Sequence, residues 1–474
     1  MTVVQLQFTA LDEISKVHER LRKTFESGIT RPLQYRRTQL LQIAHFIQDN
    51  WKAIEDAIIS DYGRSRSEMS ELKTVFDHAI HAAQDLEEWS KPEKPKVEDW
   101  LAGWDPTIYP TPKGTVLIIS PWNAPYFTTF SPLIGAMAAG CTALIKPSEL
   151  CPATSQLLAD LFPKYFDSNA YAVVNGAVAE ATRLLELKWD HILYTGAPKV
   201  ARIVAAAAAK HLTPLTLELG GKCPVLIDDD VDIDLVAKRV LYGKQFIAGQ
   251  ACISPDYVLV PPGKMETLIA AFKKYYSTFW PKGPLNEGYS RIIAPHHHAR
   301  LKNMLEHTKG DIVLGGEIEG SERIAPTIVK NVPLDDILME EEIFGPILPL
   351  IQVSGMEEAL NIVKELSSPL AIYVFTNSEK LKETLLNSTA SGALCFNDTL
   401  SHAGVRELPF GGIGESGYGC HGGKYSFDTF THRRSYANVP PAGEPFMAMR
   451  YPPCKDEVYQ ALTAPTRAEI PKPW

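Results

Sequence analysis

Gly114-Thr-Val-Leu-Ile-Ile-Ser-Pro-Trp-Asn-Ala-Pro-Tyr-Phe-Thr-Thr-Phe-Ser-Pro-Leu-Ile-Gly-Ala-Met-Ala-Ala-Gly-Cys-Thr-Ala-Leu-Ile-Lys146 decides the fold. Nothing between Lys113 and Lys146 is charged, so the stretch imitates a membrane span. A span needs about 20 apolar residues in one helix. Pro121, Pro125 and Pro132 interrupt this one, as do Gly135 and Gly140, so it reads as several short buried elements. Gly114 to Ser120 is a continuous run rich in β-branched residues, the pattern of a parallel strand covered on both faces. Pro121 to Pro125 is a loop. Phe127 to Ala139 is a helix, and Thr142 to Ile145 starts the next strand.

Outward from this unit the alternation continues. Strands are expected at Ala172-Val-Val-Asn175, His191-Ile-Leu-Tyr194 and Leu215-Thr-Leu-Glu218, with helices at Ala177 to Leu187 and Val200 to Lys210. A second set runs from about 222 to 400, with strands near Tyr257–Val260, Ile312–Leu314 and Leu370–Phe375. Strand–helix alternation means parallel, doubly wound sheets, so two α/β domains follow one another. Residues 11 to 95 carry apolar residues at helical spacing. The Lys91-Pro-Glu-Lys-Pro-Lys-Val-Glu98 stretch is a solvated connector. The residues from Tyr451 to Trp474 read as an extended surface tail, with Lys455, Asp456, Glu457, Arg467, Glu469 and Lys472 and no long apolar run. A soluble protein with no integral membrane anchor is expected.

The chain of 474 residues is 45% hydrophobic and 22% charged, which excludes wholesale disorder. Its net charge of −9 argues against a nucleic-acid partner. Cys141, Cys151, Cys223, Cys252, Cys395, Cys420 and Cys454 form no C-x-x-C pair, which speaks against a disulfide scaffold and a zinc ribbon. Free thiols fit a reducing compartment, the cytoplasm. Met1 to Ala10 has no secretory pattern.

Parallel sheets bind ligands at the carboxyl ends of their strands. Ser120-Pro-Trp-Asn123 follows the first strand, Thr195-Gly196-Ala-Pro-Lys-Val-Ala201 opens a helix, and Glu218-Leu-Gly-Gly221 closes another strand. Gly196 before a helix suits a pyrophosphate approaching backbone N–H groups; it equally suits a simple turn, since a G-x-G-x-x-G fingerprint is absent. Cys252, among small neighbours, reads as a nucleophile or as an inert buried thiol. Cys420, beside His421 in a glycine-rich loop, is its rival. Glu218 reads as a base or as a solvated edge carboxylate, and Asn123 as a functional or a turn asparagine. His296-His-His298 lacks a partner at metal-ligand spacing and reads as a solvated turn, so no metal is expected. Glu340 to Glu342 read equally as a helix start facing water.

Taken together, the pieces resemble one family. Pro121-Trp-Asn123, Lys146-Pro-Ser-Glu149, Leu217-Glu-Leu-Gly-Gly-Lys222, Gly249-Gln-Ala-Cys252, Glu341-Glu-Ile-Phe-Gly-Pro346 and Pro409-Phe-Gly-Gly412 occur in order, as in the NAD(P)-dependent aldehyde dehydrogenases. The likeness runs from about Arg22 to Pro453. Lys210-His-Leu-Thr-Pro214, Ser254-Pro-Asp-Tyr257, Ser426 to Arg434 and Arg450-Tyr-Pro-Pro453 are similar to the class 3, or fatty-aldehyde, branch in particular.

The resemblance implies an α/β fold of the aldehyde dehydrogenase type. A discontinuous Rossmann-type cofactor domain (1–95 and 114–218) would precede a catalytic domain (219–415). A small β bridging arm (96–113 and 420–440) and the tail 451–474 would complete it. The arm near 96 to 113 would pair with the segment near 420 to 440 of a partner subunit, in a homodimer, because the longer N-terminal extension of tetrameric relatives is missing. The implied reaction oxidises an aldehyde, hydrophobic aliphatic or aromatic, to the acid with NAD, NADP also being possible. Cys252 would be the nucleophile, forming a thiohemiacetal and then a thioester. The Asn123 amide and the Cys252 N–H would hold the oxyanion, and Glu218 would activate the hydrolytic water. Lys146 and Glu149 would grip the adenosine ribose, Glu342 the nicotinamide ribose, and Phe344 would pack beside it. Ser120, Trp122, Thr195, Gly196, Ala197 and Ala201 complete the implied cofactor set. The family's Gly-Ser-Thr-x-x-Gly is here Gly196-Ala-Pro-Lys-Val-Ala201, which implies rearranged pyrophosphate contacts, with Lys199 compensating in part. Two rival readings are a thiol esterase or acyltransferase without a redox step, and a retired enzyme kept as a binding protein.

Overall fold

The computed structural model describes residues 4–63, 69–286, 288–453, 455–464 and 469–471. Cys454, Arg467, Lys472 and Trp474 lie outside them. Two compact units emerge. The larger comprises the described part of Met1–Trp89 with Pro112–Thr431; the smaller comprises Ser90–Thr111 and the described part of His432–Trp474.

The opening stretch folds as its sequence dictates. Thr115–Ile119 is a strand, Pro125–Ala139 a helix and Thr142–Lys146 the next strand. Pro125 sits in the first turn, where its missing N–H costs nothing, and Gly140 ends the helix at φ 89°. Along the first strand Val116 and Ile118 enter one hydrophobic core and Leu117 and Ile119 enter another. The first core is built with the helices Leu33–Tyr62, Ser70–Trp89 and Pro125–Ala139; the second with Leu11–Ser27 and Pro198–Ala209. Covering both faces explains the unbroken apolar run, because neither side of the pleat meets water.

This sheet runs Gly417–Tyr418, Leu215–Glu218, His191–Thr195, Thr115–Ile119, Thr142–Lys146, Tyr171–Val173. All its pairs are parallel except the first, which is antiparallel. Strand order reverses between Thr115–Ile119 and His191–Thr195, so a crevice opens beyond their carboxyl ends. The second sheet has seven strands, in the order Ala393–Phe396, Ala371–Phe375, Pro224–Ile227, Tyr257–Val260, Ile347–Gln352, Thr327–Lys330, Asp311–Leu314. Only the last pair is antiparallel. Its core is separate from those of the first sheet.

In the smaller unit the arm strand Thr107–Pro112 pairs with Thr431–Tyr436 of the same chain. Arg433 reinforces the pairing with two hydrogen bonds to the Glu93 carboxylate, at 2.6 and 2.5 Å. The tail is not wholly extended, since Asp456–Thr463 is helical, with Asp456 and Glu457 in its first turn, where the helix dipole favours them. No described helix is long and apolar enough to cross a membrane.

Candidate active site

A cavity of about 980 Å³ in the larger unit lies beyond the strand ends at the reversal point. It brings together Trp122, Asn123, Thr195, Gly196, Ala197, Glu218, Cys252, Glu342 and Phe344, residues up to 222 positions apart in sequence. Ser120, Lys146, Glu149 and Ala201 are not on its wall. Ser120 is buried with its hydroxyl on the Thr128 carbonyl at 3.4 Å. Ala201 is buried in the helix Pro198–Ala209. Lys146 ends its strand and donates to the Pro147 carbonyl and the Glu149 carboxylate, each at 3.0 Å.

Local backbone geometry presents Cys252. The helix Ile233–Gln245 ends, and Ile247, Ala248 and Gly249 follow with φ of 52°, 51° and 72°. Such a left-handed run turns the chain sharply. At Gly249 only glycine fits, because a Cβ would stand 2.2 Å from the Gly345 carbonyl oxygen. Gln250 then clamps the loop: its amide donates to the Ile247 and Arg291 carbonyls, at 3.0 Å each, and accepts from Ile293 N–H at 3.1 Å. Behind the loop the Cys223 thiol donates to the Cys252 carbonyl at 3.5 Å. Tyr373 Oη donates to the Ile253 carbonyl at 2.6 Å.

Position in the cavity distinguishes the two cysteines. Burial, then the Glu342 and Glu218 carboxyls, push the Cys252 thiol up to about 12. Cys420 is raised too, chiefly by burial, but it is not on the cavity wall. Glu218 is not the solvated edge carboxylate its alternation allowed. Its strand is flanked on both sides, by His191–Thr195 and Gly417–Tyr418, and the residue is 1% exposed. Both carboxylate oxygens lack a hydrogen-bond partner, and burial raises the group well above the ordinary glutamate range. Burial makes its carboxylate, once ionised, a stronger base than an exposed glutamate.

The wall opposite is held by charge. Lys222 Nζ donates to the Asp256 carboxylate, to the Leu338 carbonyl at 2.7 Å and to the Glu341 carbonyl at 3.1 Å. Asp256 also accepts from Ile343 N–H at 2.9 Å. Arg300 binds the Glu341 carboxylate at 3.1 Å and the Ile343 carbonyl at 2.6 Å. These bonds fix the loop that carries Glu342, whose carboxyl lies so close to Gly220 that a Cβ there would meet it at 2.1 Å. The glutamates therefore are no helix start: the helix Ile337–Glu340 ends before Glu342.

His296 to His298 are not a turn. They occupy the first turn of the helix Pro295–His307, and His296 and His297 line the cavity. The His297 ring packs 5.7 Å from Trp122, which meets Phe344 edge-on at 5.5 Å. Burial pulls His297 down to about 4, so it is neutral at pH 7. Pro295 at a first helical position was the signal that could have revealed this helix.

The groove fits a dinucleotide. The helix Pro198–Ala209 opens on Ala197 with no side-chain cap, leaving first-turn N–H groups for an anion, with Lys199 beside them on the wall. Thr195 Oγ1 is buried without a partner at the same strand end. Tyr194 fills the space below: its hydroxyl donates to the Ala197 carbonyl at 3.3 Å and would stand 2.3 Å from a Cβ at Gly196. Glycine at 196 is thus enforced from beneath the groove.

Comparison with known proteins agrees with this geometry. The aldehyde dehydrogenase family profile matches residues 2–436. Aldehyde dehydrogenase family 3 member A2 of Rattus norvegicus is 42% identical over 442 residues, 92% of this chain and 90% of that protein. The dimeric, NADP-preferring aldehyde dehydrogenase of the same organism is 40% identical, covering 94% of this chain and 98% of its own. Among solved structures, the substrate-bound state of Staphylococcus aureus AldH is 34% identical with a TM-score of 0.88, covering 93% and 99% of the two chains. Neither a redox-free thiol esterase nor a retired binding protein finds support in these matches. The chain belongs to the aldehyde dehydrogenase family, and its activity is the NAD(P)-dependent oxidation of an aldehyde to the carboxylic acid.

Proposed function

We propose that Cys252, Asn123 and Glu218 carry the chemistry. The observation behind this reading is their convergence on one cavity, with Glu218 buried and both its oxygens free of protein partners. Bound NAD(P) supplies the hydride acceptor. The Cys252 sulfur attacks the aldehyde carbon once its proton is lost, and the carbonyl oxygen becomes an oxyanion. The Asn123 amide, 6% exposed, and the Cys252 N–H stabilise that charge in a site from which water is largely excluded. Glu218 then takes a proton from the water that hydrolyses the thioester, and the acid leaves.

In this reading Glu342 accepts hydrogen bonds from the nicotinamide ribose, with Phe344 and Trp122 packed beside the ring. Lys146 and Glu149 hold the adenosine ribose. Ser120 and Ala201 support the strand end and helix without touching the ligand. Residues 1–95 and 114–218 form the cofactor domain and 219–415 the catalytic domain; 96–113 with 420–440 form the bridging arm. The chain works as a homodimer, in line with the dimeric rat relative. It works in the cytoplasm, in line with its six described cysteines, all free. The substrate is a hydrophobic aldehyde.

Cys252→Ala tests the core of this reading. It abolishes turnover while leaving folding and cofactor binding intact, whereas Cys420→Ala keeps most activity. An exchange of those two outcomes refutes the assignment. An aldehyde panel of varied chain length and aromaticity reads out the substrate class.

A further inference from the structure

Cys223 stands directly behind Cys252. It is 0% exposed and precedes the strand Pro224–Ile227. That strand runs parallel to Tyr257–Val260, with Pro224 opposite Tyr257. The Asp256 N–H donates to the Cys223 carbonyl at 2.8 Å, which continues the ladder toward the loop that carries Cys252. This loop is a tight turn, closed by the Ser254 N–H on the Ala251 carbonyl at 2.8 Å, with Cys252 inside it. Ladder and turn together put the Cys223 thiol on the Cys252 carbonyl, at 3.5 Å. Only the covalent span of Cys252 itself separates that contact from the Cys252 sulfur.

A buried thiol bonded to a carbonyl is ordinarily packing. Two observations set this one apart. Cys141, Cys151 and Cys395 bond the carbonyls of Phe430, Ser148 and Asp398, none of them on the cavity wall, whereas Cys223 bonds the backbone of a second cysteine that is on it. Cys252 is also only partly buried, so a small oxidant entering the cavity reaches its sulfur. Cys223 is closed to solvent and reacts only through its neighbour.

We infer that Cys223 is a resolving thiol for Cys252: once a hydroperoxide has oxidised Cys252 to the sulfenic acid, Cys223 captures it as a Cys223–Cys252 disulfide. The role rests on the reading of Cys252 as the nucleophile facing the cavity. In the first step the Cys252 thiolate takes one peroxide oxygen and the O–O bond breaks. The leaving hydroxide or alkoxide picks up the proton that the thiol gave up. In the second step the Cys223 sulfur attacks the Cys252 sulfur, the S–O bond breaks, and the departing hydroxide leaves as water with the Cys223 proton. Two thiols are oxidised by two electrons in all, and one hydroperoxide is reduced. Burial above all raises both thiols, so little thiolate is present at neutral pH. Holding the two sulfurs together offsets this, because an intramolecular step runs at a high effective concentration. The disulfide stops Cys252 short of the sulfinic acid, which thiols do not reduce.

The test uses the full-length protein without cofactor, with hydrogen peroxide as the oxidant. Free thiols are blocked with iodoacetamide, and the unreduced digest is mapped by mass spectrometry. A peptide linked through Cys223 and Cys252 forms in step with the loss of turnover, and dithiothreitol restores both thiols and turnover. Cys223→Ser keeps a donor for the Cys252 carbonyl but has no sulfur. In that variant Cys252 accumulates as the sulfinic acid, and dithiothreitol no longer restores most of the turnover. Cys223→Ala gives the same result, and the wild-type peptide map stands by itself should either variant fold poorly. Absence of the linked peptide at full inactivation, linkage of Cys252 to a different cysteine, or equal recovery in wild type and Cys223→Ser overturns the proposal. Should Cys252→Ala retain turnover, the nucleophile reading fails instead, and the peptide map still decides what Cys223 does.

Discussion

Replacing Glu218 by glutamine separates its two properties, proton acceptor and buried acid. The amide matches the carboxylate in shape, and neither oxygen has a hydrogen bond to lose. If Glu218 activates water, loss of general-base catalysis slows thioester hydrolysis by about 10²–10⁴-fold, or roughly 3–5 kcal/mol of barrier. Hydride transfer precedes that step, so a stopped-flow trace retains one burst of reduced cofactor per Cys252 while steady-state turnover falls.

The same substitution changes stability with a definite sign. Burial raises Glu218 above its unfolded value, so the folded chain binds the extra proton between the two values. Stability contributed by the protonated acid is present below the unfolded value. It is lost as pH rises toward the folded one, at about 1.4 kcal/mol for each pH unit crossed. Glu218→Gln lacks that loss. Its melting temperature relative to wild type therefore climbs as pH rises above the ordinary glutamate value. At about 2 cal/mol/K per residue, each kcal/mol moves the midpoint of a chain this long by roughly 1 °C. Wild-type steady-state turnover, or a melting difference that shrinks with pH, refutes the reasoning.

Two further perturbations follow from the site. Glu149→Gln narrows the preference for NAD over NADP, expected at roughly tenfold in wild type, because a like-charge contact with a 2′-phosphate costs on the order of 1 kcal/mol; kcat/KM for the two cofactors with one aldehyde reads it, and an unchanged ratio places Glu149 away from the phosphate. Gly249→Ala puts a Cβ 2.2 Å from the Gly345 oxygen at a φ of 72°, so Cys252 alkylation and turnover both drop by about tenfold or more, and wild-type values of both contradict the account of the loop.

What the amino-acid order determined by itself is local. The prolines and glycines from Pro121 to Gly140 cut an uncharged run into strand, loop, helix and strand, because steric limits on the backbone act within a few residues. The unbroken apolar strands announced sheets covered on both faces. The ordered motifs around Asn123, Glu218 and Cys252 announced the chemistry through resemblance, since spacing left each of them open to a plainer reading.

Tertiary structure decided whatever depends on residues distant in sequence. Glu218 became a buried acid only because Gly417–Tyr418 closes the far side of its strand, from a distant part of the chain. His297 became part of the groove only by packing on Trp122. The arm strand Thr107–Pro112 lies beside Thr431–Tyr436, a strand far along the chain. Lys244, one lysine among ordinary helix residues in the sequence, has its ammonium buried without a hydrogen-bond partner from the protein. Desolvation and pairing are properties of a neighbourhood, and folding alone assembles it.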